Sequence, residues 1–264
     1  MAGNVLDLWA GLCYHAEQND TAVCAALRPA GRMFFVIQTV LFDLDDTLLD
    51  FHKAEAAALR KTLIALELEP SEATIVRYSE INAAQWRLLE DGKLTREQVL
   101  TRRFAILFDE LGVERSSVQA KEIYERLLGV GHYFIPGAPE VLAALAPRYD
   151  LYLVSNGTAT VQESRLESAG IQPYFKDIFI SQQIGADKPQ KEFFDRCFAK
   201  IPNVLRERTI IVGDSLTSDM RGGSNAGIRT CWFNPHRKAR CAEIPVDYEI
   251  AALAELPALL AQIQ

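Results

Sequence analysis

From Thr39 onward the chain alternates between two hydrophobic periods. Short apolar runs break off abruptly at polar residues: TVLFD at Asp43, YLVSN at Ser155, DIFIS at Ser181, TIIVGD at Asp214 and TCWFN at Asn234. Each run is too short for a helix and rich in β-branched or aromatic residues, the mark of a strand buried on both faces. Between them, APEVLAALAPRY, TVQESRLESAG and KEFFDRCFAK carry helical spacing. Strands alternating with helices predict an α/β fold, a Rossmann-like, doubly wound parallel sheet with helices on both faces. A ligand of such a sheet lies beyond the carboxyl ends of the strands, so all five polar termini are expected to point into one crevice.

Residues 50–133 interrupt this rhythm. They hold only helical patterns, over 52–67, about 72–90, 95–111 and 116–130, with breaks near Pro70, Gly92 and Gly112. An all-helical cap inserted between the first and second strands is the expected arrangement, hinged near 49–52 and 132–137, where FIPGAP returns the chain to the sheet. The division is then 33–49 and 134–264 for the core and 50–133 for the cap. Residues 1–32 fit neither pattern and end in RPAGR, just before Met33 and the strand-like run FFVIQTVLF. They read as a short appended helix or as an extension upstream of a start at Met33, and the second reading is favoured.

Composition narrows the class. The 264 residues are 49% hydrophobic, with 28 Lys and Arg against 35 Asp and Glu, a net charge of −7. An acidic chain without a basic cluster argues against a nucleic-acid polymer as partner, while a small anionic substrate depends only on local charge. The five cysteines (Cys13, Cys24, Cys197, Cys231, Cys241) are scattered and never in CxxC spacing. A disulfide framework or zinc site is not expected, and a cytoplasmic setting is. No apolar run approaches the roughly eighteen residues of a membrane span, and the start, with Asp7 and no basic segment, makes a poor signal peptide. The expected state is monomer or homodimer.

Candidate chemistry begins in VLFDLDDTLLD, residues 40–50, where Asp43, Asp45, Asp46 and Asp50 crowd together. Like charges a few ångströms apart repel by about 1 kcal/mol per pair in water and more where solvent is thin, and a bound cation would offset that. Asp43 and Asp45 start on the same side of the chain at a strand end. Asp214 ends another strand, and Asp219 follows in GDSLTSD. Carboxylates converging from strand ends suit Mg²⁺, which prefers carboxylates, waters and substrate phosphate. A solvated acidic loop is the bland alternative; an EF-hand is excluded, because the turn glycine and the twelfth-position Glu are missing. Ser155, Asn156 and Gly157 offer a hydroxyl, an amide and a pliable backbone for phosphate oxygens. Lys188, in GADKP, is a surface charge if taken alone and a phosphate-neutralising cation if taken beside the carboxylates.

In order, the motifs are DxDxT, SNG, KP and GDxxxxD. Together they resemble the haloacid dehalogenase-like (HAD) phosphohydrolase superfamily over residues 40 to about 235, with the helical C1-type cap between the first and second motifs. The resemblance implies that Asp43 is the nucleophile that takes the phosphoryl group as an aspartyl phosphate and that Asp45 is the general acid and base. It implies Mg²⁺ held by the Asp43 carboxylate, the Asp45 backbone carbonyl and Asp214, with Asp219 in support, and phosphate oxygens gripped by Ser155, Asn156 and Lys188. Phosphoryl transfer rests mostly on positioning and charge stabilisation, which metal and lysine supply together.

Asp45 favours phosphate-ester chemistry over dehalogenation, since true dehalogenases of the superfamily lack it. INAAQWRLLEDGKLTREQVLTRRF and NAGIRTCWFNPHRK resemble bacterial pyrimidine 5′-nucleotidases, which implies a substrate such as UMP, dUMP or dTMP. In that reading Asn82, Trp86 and Arg103 are cap positions, Trp86 stacks on a base or packs in the core, and Phe51 and His52 line the pocket where the chain enters the cap. A phosphatase for a sugar or sialic acid phosphate is the alternative enzyme. A silent binding module is disfavoured because Asp43 and Lys188 are both present. The P-loop and GxSxG motifs are absent.

Overall fold

A computed structural model describes residues 36–263; the readings of residues 1–32 and of Met33 as a start lie outside the described residues. The sheet has six parallel strands in the order β3-β2-β1-β4-β5-β6: β1 (Thr39–Phe42), β2 (Asp150–Ser155), β3 (Asp177–Ile180), β4 (Thr209–Gly213), β5 (Arg229–Phe233) and β6 (Tyr248–Ile250). Five of them are the apolar runs that break off at polar residues. The edge strand β6 escapes the pattern, since three residues of alternating exposure leave no apolar run. The first strand is also shorter than FFVIQTVLF suggests: it starts at Thr39, and Val36 is 46% exposed.

Strand β1 occupies the switch point. The chain runs from it to β2 and β3 on one side, then crosses to β4, β5 and β6 on the other, the topology that opens a crevice beyond the strand ends. Phe42 stands level with Leu153 of β2 and Val212 of β4, and the Asp43 amide still donates to the Val212 carbonyl at 3.0 Å. The residue that follows β1 is therefore held by the sheet itself.

Side chains alternate across the sheet. Val40 and Phe42 join a cluster with Val141 and Leu142 of α5 (Ala138–Leu145) and Leu256 and Leu260 of α10 (Leu256–Gln262). Leu41 faces the opposite layer, packing with Phe193, Phe194 and Cys197 of α8 (Lys191–Phe198) and Ala226 of α9 (Arg221–Ala226). Helices thus cover both faces, and β1 is buried along its whole length.

Four helices lie between β1 and β2: α1 (Phe51–Ala65), α2 (Glu72–Glu90), α3 (Arg96–Leu111) and α4 (Ser117–Leu128). Local chemistry sets their ends. Asp50, Ser71, Thr95 and Ser116 cap the N-termini by accepting backbone N–H groups, Thr95 and Gln98 forming a reciprocal capping box. Gly112 closes α3 at φ 65°, a conformation that favours glycine. The helices share a hydrophobic cluster of their own. Its centre is Tyr78, Phe104 and Tyr124, with ring centroids 5.1 to 5.6 Å apart, each such pair adding about 1 kcal/mol beyond area burial. The two segments that join these helices to the sheet run side by side: Ile135 N donates to Leu48 O at 3.0 Å and Asp50 N to Tyr133 O at 2.7 Å.

Candidate active site

A cavity of about 250 Å³ lies between the strand ends and the helical insertion. At its floor, Lys188 reaches from the loop ahead of α8 and donates to Asp43 Oδ1 at 2.6 Å, Asp219 Oδ1 at 2.7 Å and the Val154 carbonyl at 2.9 Å. All three ammonium protons thus have acceptors, and the Lys188 side chain is 1% exposed. Burial alone would lower its pKa, but Asp219 and Asp43 outweigh that and raise it. Burial pushes Asp43 up, to about 8, against the pull of Lys188 and with a push from Asp219 and Asp45.

Thr47 ties the first motif to the last. Its hydroxyl donates to Asp43 Oδ2 at 3.3 Å and accepts from the Asp214 amide at 3.1 Å. The Asp214 carbonyl accepts from the Trp232 indole at 2.8 Å. Gly213 is required here: a Cβ at that position would lie 2.3 Å from Asp219 Oδ2. Asp219 Oδ2 also accepts from Ser215 N at 3.1 Å, so both its oxygens are engaged.

One carboxylate oxygen from each of Asp43, Asp214 and Asp219 lies within 4.8 Å of the others. Lys188 answers two of these acids, while no cation contacts the Asp214 carboxylate among the described residues. Burial, then the charges of Asp219 and Asp43, raise the Asp214 pKa well above the ordinary value. Three converging hard oxygen donors with one lysine are a donor set that fits a divalent cation such as Mg²⁺.

The other acids of VLFDLDDTLLD have different partners. Asp45 turns its carboxylate to α6 (Ala159–Ala169), where Oδ1 accepts from Arg165 and Oδ2 from Gln162 at 2.7 Å. It lies outside the three-acid group. Asp46, at φ 57°, accepts from the Phe51 and His52 amides, and Asp50 accepts from Lys53 N at 2.8 Å. Two of the four crowded carboxylates therefore start helix α1 instead of meeting a cation.

The remaining expectations divide. Ser155 is 1% exposed and accepts from Gln162 Nε2 at 2.8 Å, behind the cavity wall. Asn156 lines the cavity, but its side chain is closed onto the Lys188 backbone, donating to the carbonyl at 2.7 Å and accepting from the amide at 2.8 Å. Its amide group thus holds the lysine loop and keeps one N–H outside these two bonds. Ser181 and Asn234 do not line the cavity, because β3 and β5 stand one strand too far from β1. Phe51 and Trp86 line it. His52 does not; its side chain is 72% exposed and sits 3.4 Å from Asp46. Asn82 does not either: it is buried, donating to Glu55 Oε1 at 2.7 Å and accepting from Arg103 Nη1 at 3.0 Å. Arg103 reaches the cavity in its place.

Gln162 and Arg165 are the participants that motif reading missed. A signal was there: on α6 they share a buried face with Val161 and Leu166, and a polar pair in an apolar stripe needs partners. Arg165 also donates to the Gly131 carbonyl at 3.2 Å, in the segment that returns to the sheet. Between the helical insertion and the core, Arg96 of α3 donates to Ser181 Oγ at 2.5 Å and pairs with Asp187, and Thr217 donates to Glu90 of α2 at 3.0 Å. No helix of the described residues is long and apolar enough to cross a membrane.

Comparison with known proteins agrees with this geometry. The family model for haloacid dehalogenase-like hydrolases matches residues 40–233. The HAD-hydrolase YfnB of Bacillus subtilis is 43% identical over 83% of this chain and 93% of its own. A crystal structure of that protein bound to magnesium superposes with a TM-score of 0.82, covering 85% of this chain and 98% of that one. The pyrimidine 5′-nucleotidases PynA of Streptococcus pneumoniae and YjjG of Escherichia coli are 36% and 29% identical, over 82% and 84% of this chain and 92% and 96% of theirs. With its motifs in order along the strand ends and its match spanning both segments of the sheet, the chain belongs to the haloacid dehalogenase-like hydrolases.

Proposed function

We propose that this hydrolase is a Mg²⁺-dependent phosphatase of nucleoside 5′-monophosphates, pyrimidine ones such as UMP, dUMP or dTMP, working through an aspartyl phosphate with residues 50–133 as its cap. The observation that carries this reading is the joint placement of Asp43, Lys188, Asp214 and Asp219 at the floor of a cavity whose other end is lined by Phe51 and Trp86. The names of PynA and YjjG support the substrate class, and the magnesium reported for YfnB supports the ion.

In this mechanism an Asp43 oxygen attacks phosphorus, and the bond from phosphorus to the 5′ oxygen breaks. Asp45, once released from Arg165 and Gln162, protonates that leaving oxygen. Asp45 then takes a proton from water, the water oxygen attacks phosphorus, and the acyl phosphate opens to release inorganic phosphate and Asp43. Lys188 meets the charge on the transferring oxygens, with Asn156 and Gly157 on the cavity wall beside it. A divalent cation held by Asp43, Asp214 and the Asp45 carbonyl, with Asp219 behind them, would supply further charge neutralisation when bound. The insertion excludes water from the acyl phosphate.

The test is phosphate release from a panel of nucleoside monophosphates and sugar phosphates, with Mg²⁺ and with a chelator. UMP or dTMP should lead the panel, and the chelator should abolish turnover. Preference for a sugar or sialic acid phosphate would overturn the substrate, and silence across the panel with Mg²⁺ would overturn the phosphatase.

A further inference from the structure

The cap end of the cavity carries two polar groups that the phosphoryl-transfer chemistry does not use. Glu125, on α4, lines the cavity, and its Oε1 is buried without a hydrogen-bond partner. A buried acceptor left open costs more than a satisfied one returns, so an unanswered oxygen on a residue that lines the cavity asks for a donor from what occupies the cavity. Burial raises the Glu125 pKa and nearby Arg103 lowers it, a sign that the two side chains sense each other.

Arg103 is the complement. It is 2% exposed, with Nε on the Leu100 carbonyl at 3.3 Å and Nη1 on Asn82 Oδ1 at 3.0 Å. Its guanidinium carbon stands 4.8 Å from the Tyr124 ring centre. Nη2 takes part in neither bond, and the residue lines the same cavity as Glu125. Asn82 passes the charge on to Glu55. Arg103 is thus a held donor that reaches the Glu55 carboxylate only through the Asn82 amide.

The walls of the same cavity include Phe51, Trp86 and Leu128. This slot suits a flat group with an N–H beside a carbonyl on its far edge. A carboxylated sugar would bring a second anion against Glu125. A polyol would carry more hydroxyls than two polar groups can satisfy, leaving the rest desolvated.

We propose that Glu125 and Arg103 read the imide edge of a uracil- or thymine-type base, Glu125 Oε1 accepting the ring N–H and Arg103 donating to the adjacent carbonyl. The inference rests on the nucleotide reading above and names the residues that make the enzyme selective. A polar site that matches a substrate N–H discriminates strongly against an analogue lacking it, because the site's own group is left unpaired.

The experiment measures kcat/KM for UMP, its N3-methyl analogue and ribose 5-phosphate, in wild type, Glu125→Leu and Glu125→Gln. In wild type the N3-methyl analogue should fall about tenfold or more below UMP. Glu125→Leu should lower the ratio of UMP to ribose 5-phosphate by about 10- to 100-fold, and Glu125→Gln, which keeps a carbonyl acceptor, should restore part of it. An unchanged ratio in Glu125→Leu, or equal turnover of UMP and its N3-methyl analogue, overturns the assignment of Glu125 and leaves the nucleotidase reading standing. If wild type does not prefer UMP to ribose 5-phosphate, the nucleotidase reading itself fails and this inference falls with it.

Discussion

The two ends of the cavity handle buried charge in different ways. At the strand ends, Lys188 touches the Asp43 and Asp219 carboxylates directly and gives its third proton to the Val154 carbonyl. At the cap end, Arg103 meets Glu55 only through the neutral amide of Asn82 and keeps a face toward the cavity. Direct pairing gives a stiff charge cluster suited to a reaction that develops charge at one point. Pairing through an amide keeps the cation charged, oriented and available. The first design serves chemistry common to many phosphate esters, and the second suits the choice of ester.

The largest effect should come at the floor. Asp43→Asn is expected to lower turnover by about 10⁴-fold or more, with the far-ultraviolet circular dichroism and melting profile retained; phosphate release near the wild-type rate would remove Asp43 as nucleophile. Lys188→Met should follow. It strands two buried carboxylates, and breaking such a group costs about 3–5 kcal/mol, which chemical denaturation would read as a lower midpoint alongside lost activity.

Metal and pH sharpen the same end. Burial raises the Asp43 pKa to about 8, against the pull of Lys188, and raises that of Asp214 as well. A carboxylate with a raised pKa adds its full share of stability below its unfolded value and loses it as pH climbs toward the folded one. The metal-free protein should therefore lose stability from roughly pH 4 up to about 8, and the rise in Tm on adding Mg²⁺ should grow across that window. A Mg²⁺ shift independent of pH would count against the three-acid site.

At the cap end the expected losses are smaller. Asn82→Ala removes the link between Glu55 and Arg103 and leaves both with an unmet group, at about 1–3 kcal/mol. The reaction with p-nitrophenyl phosphate, which carries no base, should suffer less than that with UMP. The smallest effect on turnover belongs to Arg96→Ala, which removes a contact between α3 and the loop ahead of α8. Its side chain and that of Asp187 are only 15% and 19% exposed, so the loss should cost about 1–2 kcal/mol while turnover of UMP falls less than in Asn82→Ala; a larger fall in stability would show that this contact holds the insertion in place.

Much of this was legible beforehand. The strands announced themselves because a strand buried on both faces must be apolar from end to end, and Asp43 and Asp214 because each stands where such a run stops. Helix ends in the insertion were legible from Pro70, Gly92 and Gly112, where backbone chemistry is local. Strand β6 was not, being too short to leave a period. The destinations of Ser155, Asn156 and Asn82 were also hidden, since each is a polar side chain whose partner lies across the fold: Gln162, the Lys188 backbone, and Glu55 with Arg103.

The chain's own order of residues determined the layered sheet, the helical insertion and the set of acids and lysine at the strand ends, because hydrophobic period and chain reversal act over a few residues at a time. Only the tertiary structure decided which acids face the cavity, which start a helix, and which arginine holds Asp45. Those outcomes depend on pairs brought together from as far apart as positions 47 and 214, and a carboxylate's role is set by the charge that reaches it.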